Sequence, residues 1–178
     1  MRRVALSLIM ICTLALPAAA QIARSAELAL LEAGVICAPE SVGFRNAPGT
    51  ITGRSHVIDQ VPDFITNAQV VPAVIGVGFG VRVQGVPDFG ASPVIITLTH
   101  PPMGDDGVRQ QSFSSAISGA GASVAFFQFD HGYELVEGTW SFEARRDDQL
   151  LYRVIFNVVA PQDVPELADI CNYRDLLS

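Results

Sequence analysis

Apolar and polar residues alternate most clearly near the end of the chain, in the stretch EGTWSFEARRDDQLLYRVIFNVV (137–159). A period of two is typical of strands that bury one face. Two such runs flank the charged segment Arg146–Gln149, so the stretch predicts a β-hairpin with that segment as its turn. The residues predicted to face inward are Trp140, Phe142, Ala144, Tyr152, Val154, Phe156 and Val158.

Similar apolar runs occur upstream, separated by clusters of proline and glycine such as VPDFGASP and HPPMGDDG. Short strands with such turns indicate an all-β sandwich or barrel of about seven or eight strands. No helical pattern lies between them, which argues against a fold of alternating strands and helices. The upstream strands are predicted at Leu28–Cys37 (with a bulge at Gly34), Ile51–Ile58, Val70–Val83, Val94–His100, Gln110–Ile117 and Ser123–Asp130.

Only the tail, residues 161–178, has a helical pattern. Pro165 suits the first turn of a helix. We therefore expect a short helix that packs on a sandwich domain spanning residues 21–160. The residues with the spacing of one helix face are Leu167, Ile170, Cys171 and Arg174.

The first 20 residues have the pattern of an export signal: two arginines, an apolar run over Val4–Leu16, and small residues that place cleavage after Ala20. A membrane anchor is the alternative, but the apolar run is shorter than the roughly 20 residues needed to span a bilayer. A lipoprotein would use Cys12, where the preceding Ile11 is bulkier than the small residue expected.

Cleavage changes the charge of the chain. Without the two leader arginines, nine of the 11 basic residues remain against 18 acidic ones, a net charge of −9. This charge repels phosphate backbones and anionic membrane surfaces. We therefore expect no nucleic-acid partner, no membrane insertion after cleavage, and a periplasmic or secreted protein.

Cys37 and Cys171 are the cysteines that follow the leader. In an oxidising compartment, two cysteines most simply form a disulfide, and two buried free thiols are the alternative. A bridge closing a loop of roughly 130 residues stabilises the fold by about 5 kcal/mol in the chain-entropy model.

The pattern G-x-W-x-F-E-A followed by L-L-Y-R-V-x-F-x-V-V resembles the closing hairpin of immunoglobulin-like bacterial domains. Together with LLEAGVICAPE, VVPAVIGVGFGV, THPPMG and FFQFDHGYELVEGTW, it resembles the bacterial family called domain of unknown function 3859. The resemblance covers about residues 29–159. It implies an exported, immunoglobulin-like antiparallel sandwich, and it assigns no activity and no site residue.

Gly76, Gly78 and Gly80 would point to one face of the predicted strand Val70–Val83. We expect a large ring, from Trp140 or a phenylalanine, to lie across this face in the core. A shallow groove for a ligand is the alternative.

The loop THPPMGDDG contains the candidate ligand or partner residues His100, Met103, Asp105 and Asp106. Imidazole and thioether groups suit copper. Two carboxylates suit calcium, although the spacing matches no EF-hand. A rigid Pro-Pro turn with solvated acids is the simpler interpretation, so we predict no metal and no cofactor.

The segment FDHGYE contains Asp130, His131 and Glu134, which are first of all turn residues. The order of residues does not exclude a Ser-His-Asp triad, but the G-x-S-x-G elbow is missing. His56 has no second histidine at metal-ligand spacing. We therefore predict no catalytic residues and no enzyme activity.

Three functions are consistent with these features. The leading hypothesis is a non-catalytic binding module, with another envelope protein as a possible partner, which uses the edge strand Gln110–Ile117 or the loop Pro101–Val108. The second is a structural envelope protein without a small ligand. The third is a metal-binding or hydrolytic protein that uses the His100 loop.

Overall fold

A computed structural model describes residues 22–177, so the predicted leader and its cleavage after Ala20 lie outside the described residues. The described chain forms two sheets packed face to face and a separate two-stranded hairpin. The strands are β1 (Ile22–Arg24), β2 (Leu28–Cys37), β3 (Gly43–Asn46), β4 (Arg54–Val57), β5 (Val70–Pro72), β6 (Val77–Gly85), β7 (Ala91–Met103), β8 (Val108–Ser118), β9 (Ser123–Gln128), β10 (Gly138–Arg146) and β11 (Gln149–Val159).

The larger sheet has the strand order β1-β11-β10-β7-β8, and the short β5 pairs in parallel with the end of β11. The smaller sheet has the order β2-β6-β9, and β3 pairs only with β4. The predicted all-β, immunoglobulin-like sandwich is confirmed. The short strands β1 and β3 were missed because so few positions do not establish a period.

The predicted closing hairpin is confirmed. In β10 and β11, Trp140 pairs with Phe156 and Phe142 pairs with Val154. All seven residues predicted to face inward are buried. The turn between the strands places Asp147 at a φ of 52°, which aspartate tolerates better than most residues.

The predicted strand Val70–Val83 is wrong as a single strand. The chain pairs with β11 until Pro72, turns at Gly76 with a φ of 85°, and enters the smaller sheet at Val77. Ile75 is 48% exposed in this turn. Because the run is apolar throughout, its sequence does not mark where the chain changes sheets.

Gly34 is not a bulge, since it pairs in register with Gly80. A β-carbon at Gly34 would lie 2.3 Å from the carbonyl oxygen of Thr66 and 2.8 Å from Cγ of Phe64. Glycine is needed here for the close approach of the chain that follows β4.

The glycine face of β6 also differs from expectation, because Gly76 lies in the turn. At Gly80 a β-carbon would lie 2.2 Å from the carbonyl oxygen of Ala125 and 2.7 Å from Cβ of Phe126. Trp140 instead contacts Phe79 on the core face, with ring centroids 5.5 Å apart. Gly78 and Gly80 therefore allow close approach of β9, and both are buried.

The predicted C-terminal helix is wrong. Within the described residues the tail has only short 3-10 turns, at Pro161–Asp163, Pro165–Leu167 and Arg174–Leu177. Asn172 has a φ of 57°, which interrupts any helix. On the predicted helix face, Leu167 is buried but Ile170 is 57% exposed.

The tail nevertheless packs on the domain, through the buried side chains of Val164, Leu167, Ala168 and Tyr173. The predicted disulfide joins Cys37 to Cys171, whose Cα atoms lie 5.3 Å apart. It fastens the tail to the end of β2. Between residues 22 and 177, no helix has the length and hydropathy to cross a membrane.

Replacing Tyr152 with phenylalanine should leave the protein as stable as wild type, or up to about 1 kcal/mol more stable. The Tyr152 hydroxyl is buried and has no hydrogen-bond partner among the described residues. Burial raises the pKa of this phenol, because its ionised form is poorly solvated. Urea denaturation measures the change. A loss above about 1 kcal/mol would contradict the prediction and reveal a hydrogen bond to this hydroxyl.

Candidate functional site

The candidate side chains of the His100 loop do not come together at one site. His100 and Met103 are 3% and 1% exposed, whereas Asp105 and Asp106 lie on the exposed turn. His100 packs against Trp140 with ring centroids 4.7 Å apart. Burial lowers the pKa of His100, although its bond to the Pro101 carbonyl opposes this shift. Among residues 22–177, no group of three or more histidine, cysteine or acidic side chains is placed to hold a metal.

The FDHGYE segment forms a turn, as its simpler interpretation predicted. The Glu134 carboxylate accepts hydrogen bonds from the backbone N–H groups of Asp130 and His131, at 2.6 and 2.9 Å. Burial raises the pKa of Glu134, and these two hydrogen bonds oppose the shift. His131 stacks on Tyr133 with ring centroids 5.2 Å apart, and both residues are exposed. Asp130, however, has a partner that the sequence did not indicate.

A cleft of about 300 Å³ lies between the β3–β4 hairpin and the strands β8 and β9. Because β8 and β9 are edge strands of different sheets, the cleft follows one open side of the sandwich, and the hairpin covers it. The side chains that matter most for its chemistry are those of Phe44, Arg54, His56, Gln111, Phe113, Gln128 and Asp130.

Three contacts hold the hairpin over this side. The imidazole Nε2 of His56 lies 2.6 Å from the Asp130 carboxylate, just after β9. The backbone N–H of Ile51 donates to the Gln111 side-chain oxygen at 2.8 Å, and the Ser112 N–H donates to the Gly49 carbonyl at 2.9 Å. The hairpin is thus fastened to both sheets, with the cleft between its attachments.

Gln111 connects this attachment to the core. Its amide Nε2 lies 3.1 Å from Nε2 of His100, whose Nδ1 lies 2.8 Å from the Pro101 carbonyl oxygen. Both contacts are satisfied if His100 is neutral, donates from Nδ1 and accepts at Nε2. Gln111 therefore uses both ends of its amide, and at 6% exposure it is well buried.

Two polar atoms at the cleft have no partner among the described residues: Nδ1 of His56 and Oε1 of Gln128, both buried. The Gln128 amide donates to Asp130 at 2.7 Å, so its oxygen is left unpaired. When a neutral His56 donates from Nε2 to Asp130, its Nδ1 carries a lone pair. Both free atoms are then hydrogen-bond acceptors, and buried acceptors without partners are uncommon in folded proteins.

The remaining walls are largely apolar. Leu98 and Phe113 face the cleft from the larger sheet, and Phe127 faces it from the smaller one. Phe44 borders the cleft on the hairpin, where it is 52% exposed and carries the Arg54 guanidinium 4.2 Å from its ring centroid. An apolar cleft with a few convergent polar groups is the usual form of a ligand site.

The spacing of the His56–Asp130 pair is similar to that of the base and the orienting acid of a hydrolase. Within residues 22–177, no serine hydroxyl bonds to Nδ1 of His56. The adjacent Ser55 hydroxyl instead accepts a hydrogen bond from Arg45 at 3.0 Å. The pair acts here as a fastening between the hairpin and β9.

Sequence reasoning missed His56 because its partner lies 74 positions away. The role of Gln111 could have been predicted from its position, since it pairs with Leu98 and shares the inward face of β8 with Ile117. A glutamine at an inward position of a strand requires buried partners.

The two sheets, their aromatic core and the open side define an immunoglobulin-like β-sandwich. The chain belongs to the family described as domain of unknown function DUF3859, whose model matches residues 24–158. Among solved structures, it is similar to an immunoglobulin-like protein from Pseudomonas aeruginosa at 23% identity and a TM-score of 0.47, over 79% of this chain and 100% of that one. No curated protein matches the chain.

Replacing Gln111 with leucine should destabilise the protein by about 1–3 kcal/mol, because it leaves His100 and the Ile51 N–H without their buried partner. Amide exchange at Ile51 should also accelerate, since the hairpin loses one attachment. Replacing the exposed neighbour Gln110 with leucine is the matched control and should change stability by less than about 0.5 kcal/mol. Equal effects of the two substitutions in urea denaturation would contradict this account of the hairpin.

Proposed function

We propose that this protein is an exported, non-catalytic binding module that holds a ligand in the cleft beneath the β3–β4 hairpin. One observation carries the proposal: the unpaired acceptors on His56 and Gln128 at the wall of a cleft of about 300 Å³. A small rotation of either side chain would present its buried unpaired atom to a ligand with hydrogen-bond donors, and the apolar part of that ligand would contact Phe113 and Phe127.

Export is supported by two features. Residues 1–20 have the pattern of a cleaved leader, and the Cys37–Cys171 disulfide suits an oxidising compartment such as the periplasm. The mature charge of −9, from nine basic and 18 acidic residues, favours neutral or cationic ligands over phosphate-rich ones.

Expression of the full chain in a Gram-negative host tests export. The periplasmic fraction should contain a product whose intact mass matches residues 21–178 with one disulfide. An Ala20→Leu variant should be processed poorly, because a small residue is needed before the cleaved bond. Unprocessed protein with free thiols in the cytoplasm would contradict the proposal.

A fragment screen by protein-observed ¹H–¹⁵N NMR tests the cleft, with small amides and amines as the probes. We expect fragments to shift the amides of His56, Phe113 and Gln128. A Gln128→Leu variant should bind the best fragment about tenfold more weakly, because it removes the unpaired acceptor. Its stability should fall by no more than about 1 kcal/mol, since the bond to Asp130 is lost but an unsatisfied group is removed as well.

Gln110→Leu is the control, because it is an identical substitution outside the cleft. Its affinity for the same fragment should equal that of wild type. A cleft that binds no fragment and no short peptide would overturn the binding role and favour a structural envelope protein.

A further inference from the structure

The cleft runs along the main chain of β9. Five successive residues, from Val124 to Gln128, line it. Successive side chains of a strand point to opposite faces of the sheet. A single cavity that borders all five therefore borders the edge of the strand, where the backbone groups lie.

The direction of the β9 backbone groups follows from its pairing. The Phe129 N–H donates to the Val77 carbonyl at 2.9 Å, and the register between β9 and β6 continues without a shift. Because alternate residues of an antiparallel strand bond to the same neighbour, the N–H and C=O groups of Ala125 and Phe127 face β6. Those of Val124, Phe126 and Gln128 face the opposite side. In the described part of the chain, no strand pairs with that side of β9.

The expected edge strand, Gln110–Ile117, is a poorer acceptor for a peptide. It forms β8, the outer strand of the larger sheet, but the Ser112 N–H in its middle already donates to Gly49. This bond interrupts the free edge. Val124, Phe126 and Gln128 are alternate residues on the same side of β9, and its register is unbroken. An added strand could therefore pair with all three.

The residues around this edge of β9 favour one extended peptide segment as the ligand. The hairpin is attached at Asp130 and at Ser112, so it lies over the cleft beside β9. A single extended segment needs less room beneath this cover than the edge of a second folded copy. Inside the cleft, Leu98 and Phe113 would contact inward side chains of the segment. At the Gln128 end, the side chains of Gln128 and His56, each with one buried unpaired atom, border the cleft beside the segment.

We propose that the ligand is an extended peptide from another protein, which adds to β9 as the fourth strand of the β2-β6-β9 sheet. Main-chain hydrogen bonds to Val124, Phe126 and Gln128 provide affinity, and an apolar side chain facing Phe113 provides selectivity. This inference rests on the binding role proposed above and specifies its ligand class.

A random heptapeptide phage library, panned against the mature protein with its disulfide intact, is the first probe. The enriched peptide is then synthesised in two forms, one unmodified and one N-methylated at the alternate residues that would donate to β9. We expect N-methylation to weaken binding at least about tenfold. Bound unmodified peptide should slow amide exchange at Val124, Phe126 and Gln128, and leave the already paired Ala125 and Phe127 unchanged.

Two variants at Phe126 separate the backbone from the side chain. Phe126→Pro removes an outward N–H that makes no ladder bond, which an edge strand tolerates, and it should weaken peptide binding at least about tenfold. Phe126→Ala removes the ring but keeps the N–H, and should retain binding within about threefold of wild type. The N-methylated peptide provides the same test without any change to the protein.

The inference is overturned if no peptide is enriched, if the N-methylated peptide binds equally well, or if exchange slows elsewhere. Slower exchange at the same three amides only at high protein concentration, without peptide, would identify a second copy of the chain as the occupant. If fragments shift the cleft amides but no peptide binds, this inference alone is overturned. If neither fragments nor peptides bind the cleft, the binding role is overturned as well.

Discussion

The contact of Phe79 with the opposite sheet holds the two layers of the molecule together. Phe79 is the third residue of β6, and its ring centroid is 4.9 Å from that of Phe156 and 5.8 Å from that of Phe142. Trp140 meets it edge-on at 5.5 Å. Burial of such large rings contributes more to the stability of a sandwich than any single polar contact, so the spacing of the sheets is set here.

The polar groups of the candidate site depend on this aromatic cluster. Trp140 donates its indole N–H to the Val136 carbonyl at 2.9 Å and covers one face of His100. His100 in turn positions Gln111, which holds the hairpin at Ile51. A continuous series of contacts therefore links the core to the cover of the cleft, and each group in it is oriented by a more deeply buried one.

The two edges beside the cleft are treated differently. Exposed edges of sheets invite pairing with other chains, and proteins usually cover or interrupt them. The β3–β4 hairpin interrupts the edge of β8 by its bond to Ser112, while the outer edge of β9 has no partner strand among residues 22–177 and lies within the cleft. The β3–β4 hairpin that covers this edge limits pairing with other sheets but leaves room for one extended segment. A covered edge of this kind is suited to peptide recognition.

Local sequence patterns establish the character of most strands of the fold. The alternation of Trp140, Phe142 and Ala144 with polar residues predicts a half-buried strand, because side-chain direction in a strand depends only on position along it. The cysteine pair and the approximate bounds of the longer strands could likewise be predicted from the sequence.

Only the folded structure shows that Val70–Val83 divides between two sheets and that the tail turns at Asn172 instead of forming a helix. It also decided the site, since His56 and Asp130 meet across 74 residues and no strand of the described residues 22–177 lies beside the outer edge of β9. Contacts between residues distant in sequence are fixed by packing, and local patterns carry no record of them.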